Sequence, residues 1–210
     1  MEHSDEITDK LRTECSCFAF EIFLHGHNIL ERHIFNRDIA FCYMCKAWKL
    51  YLDKNITKEG KIMELIDWII HEFIFDPVAF VFCIKLFTNQ ISFGNKRGNN
   101  LFTRLDNQAR DIIFIREFFD ISRTLDDKDI VFLSLDVKLR KLFNWCSVAY
   151  FTPDKLKLCV TDHVFDDCHL KEKDIDKFLS QLEKLETHKI PKDFEFRLIE
   201  IRKNFEKDFS

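Results

Sequence analysis

Two aspartates stand at positions where a carboxylate could do chemistry. Asp136 directly follows the apolar run Ile130–Leu135 in KDIVFLSLDVKLRKLF, where a predicted strand ends and a predicted helix begins. Ligands gather at the carboxyl ends of strands in α/β sheets, so this acid is a candidate ligand for a metal ion. Asp136 could also cap the helix VKLRKLF, because Asp is a favoured N-cap residue. The two roles are compatible.

Asp111 is the second candidate, in the predicted helix NQARDIIFIREFF. Phe114, Ile115 and Phe118 follow it by three, four and seven residues, which places them on its face of the helix. We therefore expect a buried carboxylate that needs a cation, a hydrogen-bond donor or a proton. An internal salt bridge would meet that need. So would a shared Mg²⁺ or Mn²⁺ ion, which could activate water for attack on a phosphodiester.

Cysteine and histidine offer a different possible metal site. The close pairs in the sequence are Cys15 with Cys17, His25 with His27, Cys42 with Cys45, and Cys168 with His169. A zinc site needs four such groups, usually from tight turns. The segment AFCYMCKAWKLY has no Gly or Pro, so it predicts a helix with Cys42 and Cys45 buried on one face. Zinc ligation is the alternative.

The bulk composition limits the class of protein. The chain has 210 residues, 24 Phe, four Gly, three Pro and a formal net charge of −4. Few turn residues favour long regular elements, and the mild charge is not that of a general nucleic-acid binder. The charged N-terminal sequence contains no secretory signal, and no apolar run is long enough to cross a membrane. We expect eight reduced thiols and a cytoplasmic location.

The elements that would position the two acids follow from the hydrophobic spacing. Helices are predicted over 38–53, 59–75, Pro77–Phe87, 106–122 and Val137–Phe143, and strands over 129–135 and 147–151. A strand, a short helix and a strand in sequence imply a parallel pair. A third strand could lie in FAFEIFL from Phe18, which could equally be helical. The predicted fold class is α/β, a small parallel sheet flanked by many helices.

The C-terminal segment predicts a helical hairpin. From Lys171 onward, two charged amphipathic helices are separated by Pro191. In the second, steps of four, three and four residues form one apolar seam, for packing on the body of the protein or on a second chain. Its members are Phe194, Leu198, Ile201 and Phe205. We therefore predict a domain over 1–160 and a helical extension over 161–210.

A polar segment precedes the helix that carries Asp111. TNQISFGNKRGNNLFTRLDN holds two of the four glycines and is predicted to be a loop. It carries Lys96, Arg97 and Arg104, which could attract the phosphates of a nucleic acid. The alternative is a solvated loop without a ligand.

Residues 106–157 resemble the PIN-domain family of metal-dependent ribonucleases. ARDIIFIREF resembles the family helix that presents an acid before an apolar run, and Asp111 matches that acid. DIVFLSLDVKLRKL resembles the family strand followed by an acidic turn, and Asp136 matches there. CSVAYFTPDKL resembles the closing strand of the fold.

The resemblance implies an endoribonuclease that cleaves RNA with Mg²⁺ or Mn²⁺. Such an enzyme could act in a toxin–antitoxin or defence system. Asp111 and Asp136 would be its catalytic metal ligands, with Glu72 preferred over Glu64 as a further ligand. The first acidic motif of the family has no clean copy in this chain. The competing hypothesis is an inactive, mostly helical interaction protein, such as an adaptor, antitoxin or immunity factor. Such a protein would bind a protein partner through its C-terminal helices.

Overall fold

The structure is a computed structural model that describes residues 35–72, 74–93, 100–124, 136–146, 162–184 and 191–209. For residues 120–124 only the backbone is described. The chain divides into two compact units, Met1–Asn36 and Arg37–Ser210. Almost all of the first unit lies outside the described residues. The predicted boundary between 160 and 161 stays a prediction.

Seven α-helices and one 3₁₀ turn are found in the described residues. The helices are α1 (35–52), α2 (Lys58–Glu72), α3 (Pro77–Phe87), α4 (Leu101–Thr124), α5 (Val137–Cys146), α6 (Glu172–Leu182) and α7 (Phe194–Phe209), and the 3₁₀ turn is Asp162–Phe165. The predicted helices over 38–53, Pro77–Phe87, 106–122 and Val137–Phe143 are confirmed, as are the two helices of the tail. The helix predicted over 59–75 is also found, but it ends at Glu72. α4 begins earlier than predicted, so Arg104 lies in a helix and not in a loop.

The predicted α/β fold class is wrong, because every regular element of the described chain is helical and no strand or sheet occurs there. The strands predicted over 129–135, 147–151 and from Phe18 lie outside the described residues. Short apolar runs such as these cannot be assigned to strand or buried helix by periodicity alone. The core is instead built by the long apolar helices, which pack on one another.

Helix α3 lies at the centre of this core. All eleven of its residues are buried, and it contacts α2, α4, α5 and the 3₁₀ turn. Pro77 starts the helix, where a missing N–H costs nothing, and Asp76 caps it by accepting a hydrogen bond from the Ala79 N–H at 2.9 Å. Uniform apolarity around a helix requires neighbours on every side, and this arrangement supplies them.

A buried polar network holds the start of α3 to α1 and α4. The Arg116 guanidinium lies 2.7 Å from a carboxylate oxygen of Asp76, which has no exposed side-chain surface. The Tyr43 hydroxyl donates to the Ile74 carbonyl at 3.1 Å and accepts from the Asp76 N–H at 3.2 Å. A buried carboxylate is stable only when it is paired in this way.

A second buried polar group lies near the end of α3. Lys85 is 1 % exposed, and its ammonium donates to the Asp166 carbonyl at 2.8 Å. The same ammonium lies 3.6 Å from the Cys168 sulfur and 5.2 Å from the centre of the Trp145 ring. These contacts tie α3 to α5 and to the segment that follows the 3₁₀ turn.

Helix α7 packs on the body along the predicted seam. Leu198 and Phe205 are buried, and the Phe205 ring lies 6.5 Å from that of Trp68 in α2. Arg197 reaches Glu72 at 3.1 Å, and Arg202 pairs with Asp38. The seam therefore serves the first of its two predicted uses, packing on the body.

Candidate functional site

Asp111 and Asp136 both line one small pocket between α3, α4 and α5. The pocket has a volume of about 50 Å³. Its walls are Phe82, Ile91, Ser92, Gln108, Asp111, Ile112, Asp136, Lys138, Leu139 and Leu142. Since about 10–15 Å³ of such space is enough for one water molecule, this pocket accepts an ion or a few waters.

The position of Asp136 follows from the start of α5. Its Oδ1 accepts hydrogen bonds from the Lys138 N–H at 2.7 Å and the Leu139 N–H at 3.1 Å. Its carbonyl accepts the bond from the Arg140 N–H at 3.0 Å. The predicted N-cap role is therefore confirmed, and it accounts for a carboxylate at this point of the chain. The residue is exposed, so its charge remains in contact with water.

Asp111 is exposed, and the prediction that it is buried is wrong. The buried stripe of α4 runs through Leu105, Ala109 and Ile112, in steps of four and three. Phe114, expected beside Asp111 in the core, is 54 % exposed. The helix is rotated relative to the prediction, because the apolar residues of IIFIREFF, from Ile112 to Phe119, lie around most of its circumference.

Cations lie beside the two acids. The Lys138 ammonium is 3.5 Å from the Ser92 carbonyl at the pocket, and Arg140 and Lys141 are exposed further along α5. Neither Arg140 nor Lys141 forms an ion pair with another described residue. Within the described ranges, no group of three or more His, Cys, Asp or Glu side chains is placed to hold a metal ion.

The other predicted site residues lie apart from this pocket. Glu72, at the end of α2, pairs with Arg197 of α7 and is not among the pocket residues. Arg104 lies over the Trp48 ring, 5.5 Å from its centre. Lys96 and Arg97 lie outside the described residues.

The described cysteines are buried thiols. Burial raises the pKa of four of them well above the usual value, those of Cys42, Cys45, Cys83 and Cys146. In the metal-free protein the thiol form is therefore favoured at these four residues. The predicted burial of Cys42 and Cys45 is confirmed. Cys15, Cys17, His25 and His27 lie outside the described residues.

The sequence reasoning missed the outer face of α7. Phe196 is 63 % exposed and Ile199 is 46 % exposed, and they lie three residues apart on the side opposite Leu198 and Phe205. Two large apolar side chains left in water on a docked helix mark a candidate contact surface. The signal in the sequence is a second apolar pair outside the seam that the first pattern explains.

Comparisons with known proteins find no match to this chain. Family models, curated proteins and solved structures were each compared with the chain, and none matches it. Among the described helices, none has the length and apolar character needed to cross a membrane.

Proposed function

We propose that this chain is a non-catalytic helical interaction protein, of the adaptor, antitoxin or immunity-factor type, that binds a protein partner through the outer face of α7. The observation that carries the proposal is the contrast between the two faces of that helix. Leu198 and Phe205 are 2 % and 8 % exposed, whereas Phe196 and Ile199 remain 63 % and 46 % exposed.

The energetics favour a partner on this face. Burying a Phe or Ile side chain from full exposure contributes roughly 1.5–3 kcal/mol, and these two side chains begin about half exposed. Covering both would contribute a few kcal/mol to association, and they would form the apolar centre of a larger interface. The inner seam and the ion pairs Arg197–Glu72 and Arg202–Asp38 hold the helix in place for such a contact.

Several polar residues and thiols that could take part in chemistry have structural roles in this protein. Asp76, Arg116 and Lys85 are committed to holding α3, and Asp136 caps α5. Burial raises the pKa of the thiols of Cys42, Cys45, Cys83 and Cys146. These groups have structural roles that do not need a reaction to explain them.

The proposal is tested by co-purification from the native host. The tagged wild-type protein is expected to retain a stoichiometric protein partner that the Phe196→Asp/Ile199→Asp variant loses. Leu52→Asp is the control, because Leu52 is 55 % exposed at the end of α1 and the substitution likewise places an aspartate at an exposed apolar position. A partner retained equally by all three proteins would contradict the use of this face.

A second candidate function is metal-dependent hydrolysis of RNA at the pocket of Asp111 and Asp136. It is favoured by one observation, that two acids 25 positions apart line the same pocket beside Lys138. The two carboxylates would hold Mg²⁺ or Mn²⁺, and the cations of α5 would attract the phosphodiester chain. This candidate does not depend on a sheet.

The two candidates are separated by incubating the full-length protein with single-stranded RNA and either metal ion. The hydrolase candidate requires cleavage that is lost in both Asp111→Asn and Asp136→Asn. The second variant is informative because Asn caps a helix about as well as Asp, so α5 remains formed while the charge is removed. Uncleaved RNA with wild-type protein would remove this candidate and leave the interaction proposal.

A further inference from the structure

The outer face of α7 carries a defined pattern of charge around its apolar pair. Glu195, Phe196, Ile199 and Glu200 stand at relative positions i, i+1, i+4 and i+5, so they form the four corners of one surface patch. All four side chains are exposed. We call these four residues the α7 patch. An apolar pair flanked on both sides by carboxylates is the arrangement that selects partners by charge in helix pairs.

The two glutamates of the α7 patch differ from the arginines of the helix. Arg197 is paired with Glu72, and Arg202 is paired with Asp38 and Glu206. Glu195 and Glu200 form no ion pair with any other residue that the structure describes. Their charges are therefore available to a partner and are not used to dock the helix.

We propose that the partner segment is a basic amphipathic helix, with an apolar ridge that covers Phe196 and Ile199 and with Lys or Arg on both flanks facing Glu195 and Glu200. This inference rests on the proposed function and adds the chemistry of the partner. The charge of the whole chain, −4, acts in the same direction by attracting a basic segment at long range.

Charge also argues against a second copy of this chain as the occupant. If two copies paired through the α7 patch, the flanking positions of both helices would be glutamates, in either a parallel or an antiparallel arrangement. Like charges facing each other across a helix pair destabilise it. The patch is therefore complementary to a different sequence and not to itself.

The length of the contact is limited by two lysines. Lys192 precedes Phe196 by four residues, Lys203 follows Ile199 by four, and both are exposed. They end the apolar ridge on either side, so the apolar contact spans about one heptad of the partner. A segment of two to three helical turns is enough to cover it, as in helix-in-groove recognition.

The experiment uses two synthetic amphipathic peptides of equal length and equal apolar sequence. One carries Lys at the flanking positions and the other carries Glu. Each is labelled and titrated with the full-length protein while fluorescence anisotropy is measured, at low and at physiological salt. The variants are Glu195→Gln/Glu200→Gln, Phe196→Asp/Ile199→Asp, and the control Glu172→Gln/Glu183→Gln, which removes two exposed acids from α6 and the residue after it.

The lysine peptide is expected to bind and the glutamate peptide is not. Binding should weaken about tenfold in Glu195→Gln/Glu200→Gln, since two exposed ion pairs are lost. It should be lost in Phe196→Asp/Ile199→Asp and should be unchanged in the α6 control. It should also weaken as salt is raised, because the pairs lie at the surface.

The inference would be overturned by preference for the glutamate peptide, by equal loss of binding in the α6 control, or by absence of lysine-peptide binding. A glutamate peptide that binds through Phe196 and Ile199 would refute the basic partner while leaving the proposed contact face intact. Loss of both peptide binding and the co-purifying partner would refute the two proposals together. Self-association of the protein through the α7 patch, seen by sedimentation, would also count against a basic partner.

Discussion

Helices α3 and α7 differ in how much of their surface the molecule covers. All eleven residues of α3 are buried, whereas in the sixteen residues of α7 only Leu198 and Phe205 are buried. The sequences explain this difference, since α3 is apolar around its circumference apart from Lys85, and α7 alternates an apolar seam with charged residues. A helix covered on every side contributes stability, and a helix covered on one side leaves a surface for binding.

The largest expected effect is alkaline unfolding of the body around α3. Burial raises the pKa of the Tyr43 hydroxyl and of four thiols, those of Cys42, Cys45, Cys83 and Cys146. Groups whose folded pKa is raised contribute stability that is complete below their unfolded pKa and is lost above it, as the unfolded chain ionises. Stability should therefore fall from about pH 8.5 upward, by at most about 1.4 kcal/mol per group per pH unit. Urea unfolding at pH 7, 8, 9 and 10 measures it, and constant stability to pH 10 would contradict the burial.

The next effect concerns the network at the start of α3. Arg116→Met leaves the Asp76 carboxylate buried without its cation, and we expect a loss of about 3–5 kcal/mol in the free energy of unfolding. Arg110→Met on the same helix is the control, because Arg110 is exposed and its partner Asp106 is also paired with Arg37, so its loss should cost under about 1 kcal/mol. Urea titration of both variants measures the difference. Equal effects would show that Asp76 is not held as described.

A comparison within α7 sharpens the distinction between its two faces. Phe205→Ala removes a ring that packs on Trp68, and we expect a loss of about 3 kcal/mol in the free energy of unfolding. Phe196→Ala removes a ring of the outer face and should change stability by less than about 0.5 kcal/mol. Thermal and urea unfolding of the two variants give both values. A large cost for Phe196→Ala would mean that the outer face is covered within the molecule.

The smallest expected effect separates the structural role of Asp136 from its charge. Asp136→Ala removes the cap of α5 and should cost about 1 kcal/mol, whereas Asp136→Asn should cost only a few tenths. Measurement of unfolding free energy for the pair distinguishes a cap from an electrostatic role. If Asp136→Asn is as damaging as Asp136→Ala, the charge itself contributes to the fold.

Much of the fold followed from periodicity, since α1, α2, α3 and the two C-terminal helices were predicted from apolar spacing and from Pro77 and Pro191. The predicted α/β class is wrong for the described residues, and periodicity alone cannot distinguish a short strand from a buried helix. The N-cap role of Asp136 could be predicted because it depends only on residues two and three positions further along the chain.

Side-chain placement was harder to predict than the helices themselves. The burial of Asp111 was predicted wrongly because IIFIREFF is apolar on several sides, so its rotation depends on the neighbouring helices and not on its own sequence. Glu72 pairs with Arg197 across 125 positions of sequence, which spacing could not indicate. The outer pair Phe196 and Ile199 was overlooked because the inner seam already accounted for a helix.

The most direct test of the proposed role places a photo-crosslinking amino acid at position 199 of the full-length protein in its native host. The account predicts a discrete covalent adduct with a second protein at position 199. It predicts no such adduct at position 52, where an equally exposed leucine lies on α1. Crosslinking at both positions alike, or at neither, would contradict the claim that the outer face of α7 is an interaction surface.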